Sequence, residues 1–137
     1  MKINKAARTL INFFQSRGIK IMRYDSYSTN SIYLKLDYGL LYSIRISDHQ
    51  GKQHLNYRFN VIKKYRGPRY VASKYDWKRE FYDLSPDDLN DLCISILQLK
   101  KQLLLEFGLY GYQNAMDYRK HKNSGTKGFW KQAKDLG

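Results

Sequence analysis

The sequence has one cysteine, few acidic residues and no long apolar run, and each shortage excludes a class of protein. Cys93 alone cannot close an intramolecular disulfide, so a hydrophobic core must hold the fold. No apolar stretch approaches the roughly 18 residues of a membrane-spanning helix, and the start lacks the charged-then-apolar layout of a secretory signal. We therefore expect a soluble, cytoplasmic protein.

The shortage of acids leaves a large positive charge. Asp and Glu total 12 against 25 Lys and Arg, which gives a net charge of +13. This charge favours a polyanionic partner, which could be nucleic acid, an anionic membrane surface or an acidic protein patch. The 13 tyrosines favour nucleic acid, because rings interleaved with basic side chains can stack on bases.

Two stretches show helical periodicity. Apolar residues recur at three- and four-residue steps over residues 3–16, and Gly18 follows as a C-cap. A second helix begins at Ser85, whose hydroxyl can cap it, and continues to Phe107, with Gly108 as its end. The predicted buried stripe of the second helix is Leu89, Leu92, Cys93, Ile96, Leu99, Leu103 and Phe107.

Alternating apolar and polar residues predict an antiparallel meander. The strands are expected at residues 19–24, 31–38, 40–47 and 54–61. Tyr38 and Gly39 mark one turn and residues 48–52 the next, whereas residues 71–81 carry no clear pattern. If the apolar set faces the core, the other face carries Tyr33, Lys35, Ser43, Arg45, Ser47, Asn56, Arg58 and Asn60.

These elements predict an α+β fold: an antiparallel sheet of three or four strands packed by an N-terminal helix and a long helix. A chain of 137 residues is long enough for one such domain. We assign the domain to residues 1–108 and a basic C-terminal extension to residues 109–137, with Phe129 and Trp130 as a possible anchor of the extension.

Basic and aromatic residues concentrate between residues 63 and 79, where a Gly-Pro pair predicts a loop. A second basic group, around Arg119, lies in the extension. Basic side chains can neutralise phosphates while rings stack on exposed bases. With three basic residues of the sheet, the predicted contact set is Lys35, Arg45, Arg58, Lys63, Lys64, Tyr65, Arg66, Arg69, Tyr70, Lys74, Trp77, Lys78, Arg79, Arg119, Lys120 and Lys122.

Catalytic signals are sparse. Asp48 and His49 could supply a general base and its orienting carboxylate, but only in a turn, because neighbours on a strand point to opposite faces. We interpret both as turn residues. Asp25 and Asp37 could join Asp48 around a metal ion in a nuclease. The spacing of His, Cys and acidic residues matches no metal motif, so we predict a non-enzymatic protein without a metal or cofactor.

Two strand segments carry a family resemblance. Tyr33-Leu34-Lys35-Leu36 and Ile44-Arg45-Ile46-Ser47-Asp48-His49 resemble small basic proteins of phages and prophages of low-GC Gram-positive bacteria, among them inhibitors of type II-A CRISPR systems. The resemblance implies a non-enzymatic anti-CRISPR protein in the bacterial cytoplasm that occupies Cas9 with its guide RNA.

Charge, aromatic content and resemblance together favour an inhibitor of bacterial defence that binds nucleic acid, RNA in particular, or a Cas effector ribonucleoprotein. No membrane or small-molecule substrate is expected. A small metal-dependent nuclease using Asp48 and His49 is the alternative, and a module that recognises an acidic protein patch is a third possibility.

Overall fold

The computed structural model describes the backbone of residues 1–62, 75–124 and 129–137, and the side chains of residues 1–59, 78–121 and 130–137. The helices and strands are α1 (Ile3–Ser16), β1 (Ile21–Ser26), β2 (Ser31–Leu36), β3 (Ser43–His49), β4 (Lys52–Ile62), β5 (Tyr75–Tyr82), α2 (Pro86–Ser124) and β6 (Lys134–Asp135). Short 3₁₀ turns occupy Asp37–Gly39 and Phe129–Gln132.

The described strands form one antiparallel sheet in the order β5-β4-β3-β2-β1-β6. The predicted α+β class is confirmed, with six strands in the described residues instead of three or four. The two additional strands lie at the edges. Strand β5 covers part of the stretch that carries no clear sequence pattern, and β6 is too short to show an alternation.

One face of the sheet, the inner face, is covered by α1 and the first part of α2. Ile32, Leu34 and Ile44 of the inner face belong to the main core cluster together with the apolar stripes of the two helices. The predicted bounds of α1 are confirmed, and Gly18 ends it in the left-handed conformation with φ of 73°. Among the described residues, no helix combines the length and apolar composition needed to cross a bilayer.

The connection between β2 and β3 is longer than predicted, since β3 begins at Ser43 and not at Leu40. Asp37, Tyr38 and Tyr42 all have positive φ, and this left-handed backbone ends the strand alternation at Leu36. The side chain of Tyr38 consequently leaves the inner face, where the pattern had placed it, and packs in a second apolar cluster.

Helix α2 begins as predicted. The Ser85 hydroxyl accepts a hydrogen bond from the Asp88 backbone N–H at 3.3 Å, while the Asp88 carboxylate accepts one from the Asp83 N–H at 2.6 Å. Two side chains thus satisfy backbone donors at the helix start. The buried stripe is confirmed at Leu89, Leu92, Cys93 and Ile96.

The far part of α2 departs from the prediction. Gly108, with φ of 74° and ψ of 166°, interrupts the helix, and helical backbone then resumes and reaches Ser124. Phe107, predicted to be buried, precedes the break, lies in neither apolar cluster and is 49 % exposed.

Residues beyond Gly108 pack back onto the sheet. Tyr112 and Met116 form the second apolar cluster with Met22 and Tyr38. Strand β6 pairs with β1, aligning Asp135 with Met22. Tyr112, Met116 and β6 thus pack against the edge of the sheet formed by β1.

Candidate nucleic-acid interface

The face of the sheet opposite to α1, the outer face, carries a patch of basic, aromatic and amide side chains. Strand register aligns one row, Tyr24, Tyr33, Arg45, Asn56 and Phe81. It aligns the next row as Met22, Lys35, Ser43, Arg58 and Arg79. Because side chains alternate along strands, these rows lie opposite to the core residues Leu34 and Ile44.

The two rows enclose a hollow of about 170 Å³. Its lining residues are Tyr33, Ser43, Arg45, Asn56, Arg58, Arg79 and Trp130. Arg58 and Arg79 are exposed and directly opposite each other on β4 and β5. Two guanidinium groups at directly opposite positions can both donate hydrogen bonds to one phosphate.

Arg45 is held in a defined position on this face. Its Nε and Nη2 donate to the Ser31 hydroxyl oxygen at 3.3 and 3.2 Å, and its guanidinium carbon lies 5.6 Å from the centre of the Tyr33 ring. The Ser31 hydroxyl also bonds to the buried Ser47 hydroxyl at 3.1 Å. Hydrogen bonds and the ring thus orient the cation before any ligand arrives.

Trp130 enters the outer face from the 3₁₀ turn Phe129–Gln132. Its ring meets Tyr33 edge to face, with 6.4 Å between the centroids, and Tyr33 in turn lies 6.2 Å from the Tyr24 ring. The ammonium of Lys35 lies 4.6 Å from the centre of the Trp130 ring. Aromatic groups from β1, β2 and the C-terminal turn therefore adjoin the cations of the central strands.

The environment of Lys35 favours its neutral form. Partial burial, followed by the nearby positive charge of Arg119, lowers the pKa of Lys35 from 10.5 to about 8. Arg119 reaches this region beside Gly39, where a Cβ atom added to the glycine would lie 3.2 Å from the Arg119 Nη1. The Lys120 ammonium lies 5.7 Å from the Tyr38 ring centre. Helix α2 thus brings two predicted contact residues to the same end of the sheet as Lys35.

The other predicted residues are placed differently. Lys78 is exposed on β5 but alternates to the opposite side from Arg79. Lys63, Lys64, Tyr65, Arg66, Arg69, Tyr70 and Lys74 lie outside the described residues. The side chains of Trp77 and Lys122 also lie outside the described part.

Four aromatic residues of the outer face were missing from the predicted contact set: Tyr24, Tyr33, Phe81 and Trp130. The strand alternation had placed Tyr33 on this face without assigning it a contact. Phe81 is 67 % exposed on the outer row, beside His54, and its strand had no readable alternation. Trp130 was predicted only as an anchor of the extension. Its position over Tyr33 depends on the chain returning to β1, which no local pattern encodes.

The proposed nuclease residues do not come together. Asp48 and His49 both lie in β3, opposite Gln53 and Lys52 of β4, so their side chains alternate to opposite faces. Their interpretation as turn residues is wrong, although the predicted turn does occur within residues 48–52. The turn itself uses Gln50 and Gly51, which both have positive φ.

The remaining carboxylates are committed elsewhere. Asp25 pairs with Arg23 at 2.8 Å, and Asp37 is fully buried beside Lys100. Within the described ranges, no three His, Cys, Asp or Glu side chains are grouped to hold a metal ion.

Comparison of the chain with protein-family models, with curated proteins and with solved structures gave no match.

Proposed function

We propose that the protein binds nucleic acid, RNA in particular, through the outer face of its sheet. The observation that carries the proposal is the hollow in which Arg45, Arg58 and Arg79 adjoin Tyr33 and Trp130. Guanidinium groups bind phosphate oxygens with directed hydrogen bonds, and rings beside them give bases a surface for stacking.

The shape of the site favours unpaired nucleotides. A sheet face with aromatic side chains can stack splayed bases, whereas the edges of bases in a duplex are reached from the grooves. Asn56 and Ser43 add hydrogen-bonding groups in the same hollow. Single-stranded RNA, or the unpaired parts of a folded RNA, is accordingly the proposed ligand.

The resemblance to type II-A CRISPR inhibitors supplies a candidate target. The guide RNA of Cas9 is a polyanion with accessible loops, and a basic protein that binds it would inhibit the effector without catalysis. We therefore propose a non-enzymatic inhibitor of bacterial defence that acts on a Cas9–guide RNA complex. No observation on the described residues favours the nuclease alternative.

Binding can be tested with a charge reversal on the outer face. Arg58→Glu/Arg79→Glu should weaken binding of a labelled single-stranded RNA by about 100-fold or more, because two phosphate contacts become repulsive. A matched control is Lys5→Glu/Arg8→Glu on the exposed side of α1, which changes the net charge equally. Anisotropy titration of both variants separates local contact from total charge.

Equal losses of affinity in the two double variants would refute a localised site. Binding that resists both, but disappears when Lys63, Lys64, Arg66 and Arg69 are replaced by Glu, would move the site to that segment. If the protein binds no RNA or DNA at moderate salt, an acidic protein patch becomes the better partner. The inhibitor proposal is tested separately, by adding the protein to a Cas9–guide complex and measuring DNA cleavage with wild type and the outer-face variant.

A further inference from the structure

Apolar side chains accumulate on the exposed surface near the break in α2. Leu99 and Leu103 pack against the main core, whereas Leu105 and Leu109 are 80 % and 74 % exposed. Phe107, Tyr110 and Tyr118 are also exposed within the same stretch. Single exposed apolar residues are common on proteins, but a cluster of this kind marks an interaction surface.

Part of this surface is a groove of about 450 Å³, named here the leucine groove. Its lining residues are Arg17, Leu97, Lys100, Lys101, Leu104, Leu105 and Leu109. Leu97 and Leu104 of the lining are half-buried, whereas Leu105 and Leu109 are largely exposed. The α2 residues before the break, Leu97 to Leu105, repeat at three- and four-residue steps, so this part of the groove runs along the helix axis, as in sites that accept a second helix. Leu109 borders the groove from beyond Gly108.

The charges that border the leucine groove are positive. Arg17 at the end of α1 and Lys101 on α2 are exposed, whereas Lys100 is neutralised by its ion pair with Asp37 at 3.1 Å. No acidic side chain lines this groove in the described part of the chain. A complementary partner therefore carries apolar side chains flanked by Asp or Glu.

We propose that the leucine groove docks an acidic amphipathic helix of a protein partner. A second copy of the chain is a poor occupant, because each copy has a net charge of +13 and two copies repel each other. A lipid surface is the other alternative, and binding to vesicles tests it below.

The leucine groove shares no residue with the hollow on the outer face. Nucleic acid and an acidic helix could therefore bind at the same time, as is needed for capture of a ribonucleoprotein through its RNA and its protein. The docking proposal does not depend on the proposed function, because the two sites are altered by different substitutions.

The test begins with selection from a displayed library of random peptides about four helical turns long, on the full chain. Counter-selection uses Leu105→Glu/Leu109→Glu, whose exposed positions should leave the fold unchanged by circular dichroism. We expect enriched peptides with leucine-like residues at helical spacing and with flanking acids. Synthetic copies should bind the double variant about tenfold or more weakly than wild type. Tyr27→Glu/Ser28→Glu, at exposed positions of the turn between β1 and β2, adds the same two charges away from the groove. It is the matched control and should leave affinity nearly unchanged.

A charge exchange tests the polar rim. Lys101→Glu should weaken binding of the acidic peptide. The same variant should bind well to a peptide in which Lys replaces the acid that faces position 101. Selection without enrichment, enrichment of non-acidic sequences, or equal binding to the double variant would overturn the proposal. Two other results would also overturn it. One is a wild-type dimer in sedimentation that Leu105→Glu/Leu109→Glu abolishes. The other is wild-type binding to phosphatidylserine vesicles that the same variant abolishes. The first of these results would assign the groove to a second copy and the other to a membrane.

Discussion

Lys35 couples the charge of the outer face to pH. Its pKa of about 8 places its titration within the range of ordinary binding experiments, whereas an unperturbed lysine titrates near 10.5. Because the folded pKa is lowered, the unfolded chain binds the proton more tightly between these two values. The unfavourable contribution of Lys35 to stability is therefore present in full below pH 8 and disappears as pH rises towards 10.5.

Nucleic-acid binding should have the opposite dependence on pH. A phosphate near Lys35 favours the ammonium form of the side chain. Affinity for an oligoadenylate should therefore fall by about three- to tenfold between pH 7 and 9, which corresponds to the loss of one contact that contributes roughly 1 kcal/mol to binding. Lys35→Arg keeps the charge over this range and should flatten the profile. Titrations of both proteins at constant ionic strength measure the effect, and identical profiles would exclude Lys35 as its source.

Asp37 illustrates a buried charge whose partners are all supplied by the fold. Its carboxylate accepts hydrogen bonds from the Lys20 backbone N–H at 2.8 Å and from the Tyr112 hydroxyl, and it pairs with Lys100. Burial, and then this hydrogen bond to Asp37, raises the pKa of Tyr112, so the phenol remains a donor. Through Lys100 and Tyr112, Asp37 links the connection between β2 and β3 to residues on both sides of the break in α2.

Replacing that carboxylate should be costly. Asp37→Asn leaves the largely buried Lys100 without a countercharge, and we expect a loss of roughly 3–5 kcal/mol in the free energy of unfolding. Asp25→Asn is the matched control, because the pair of Asp25 with Arg23 is more exposed and should contribute about 1 kcal/mol or less. Urea denaturation gives both values, and similar losses would mean that the Asp37 network adds little to stability.

At the scale of elements, Gly108 determines where the second half of α2 goes. Its φ of 74° and ψ of 166° lie in a region that is essentially restricted to glycine. A continuous helix would carry Tyr112 and Met116 past the sheet, whereas the break returns them to Met22 and Tyr38. The second apolar cluster thus depends on one glycine.

Gly108→Ala should destabilise the protein by roughly 1–3 kcal/mol, because alanine must either adopt a strained backbone or straighten the helix. Gly111→Ala is the matched control. Gly111 has helical backbone, and the added Cβ would lie 3.3 Å from the Cβ of Phe107. Phe107 would have to shift by a few tenths of an ångström, which its partly exposed position permits. The control should be near neutral, or more stable because alanine favours a helix. Thermal unfolding separates the cases, and equal effects would argue against a special role for the break.

The sequence was informative where one face of an element is buried. The period of α1 and the alternation of Ile32 and Leu34 with Tyr33 and Lys35 reflect burial on one side only, and the structure confirms both. The cap at Ser85, also confirmed, could be predicted because its hydrogen bond is local in sequence. Local patterns do not encode left-handed turns at non-glycine residues.

For the whole molecule, the outer face could be predicted as a row of side chains but not as a hollow. The alternation placed Arg45 and Arg58 on the same face as Tyr33. Arg79 and Trp130 complete the hollow from an edge strand and a distant turn. Long-range pairing, which a single sequence leaves open, determines those two positions.

The salt dependence of binding tests how much of the molecule's charge acts locally. For single strands, the slope of the logarithm of the binding constant against the logarithm of salt concentration is about −0.7 for each phosphate neutralised. Arg58→Gln/Arg79→Gln should therefore reduce the magnitude of the slope by about 1.4 if both arginines contact phosphates. Lys5→Gln/Arg8→Gln should leave the slope unchanged, although the net charge falls equally. If both variants lower the slope alike, the charge of +13 acts as a diffuse field, and the hollow is not the point of contact.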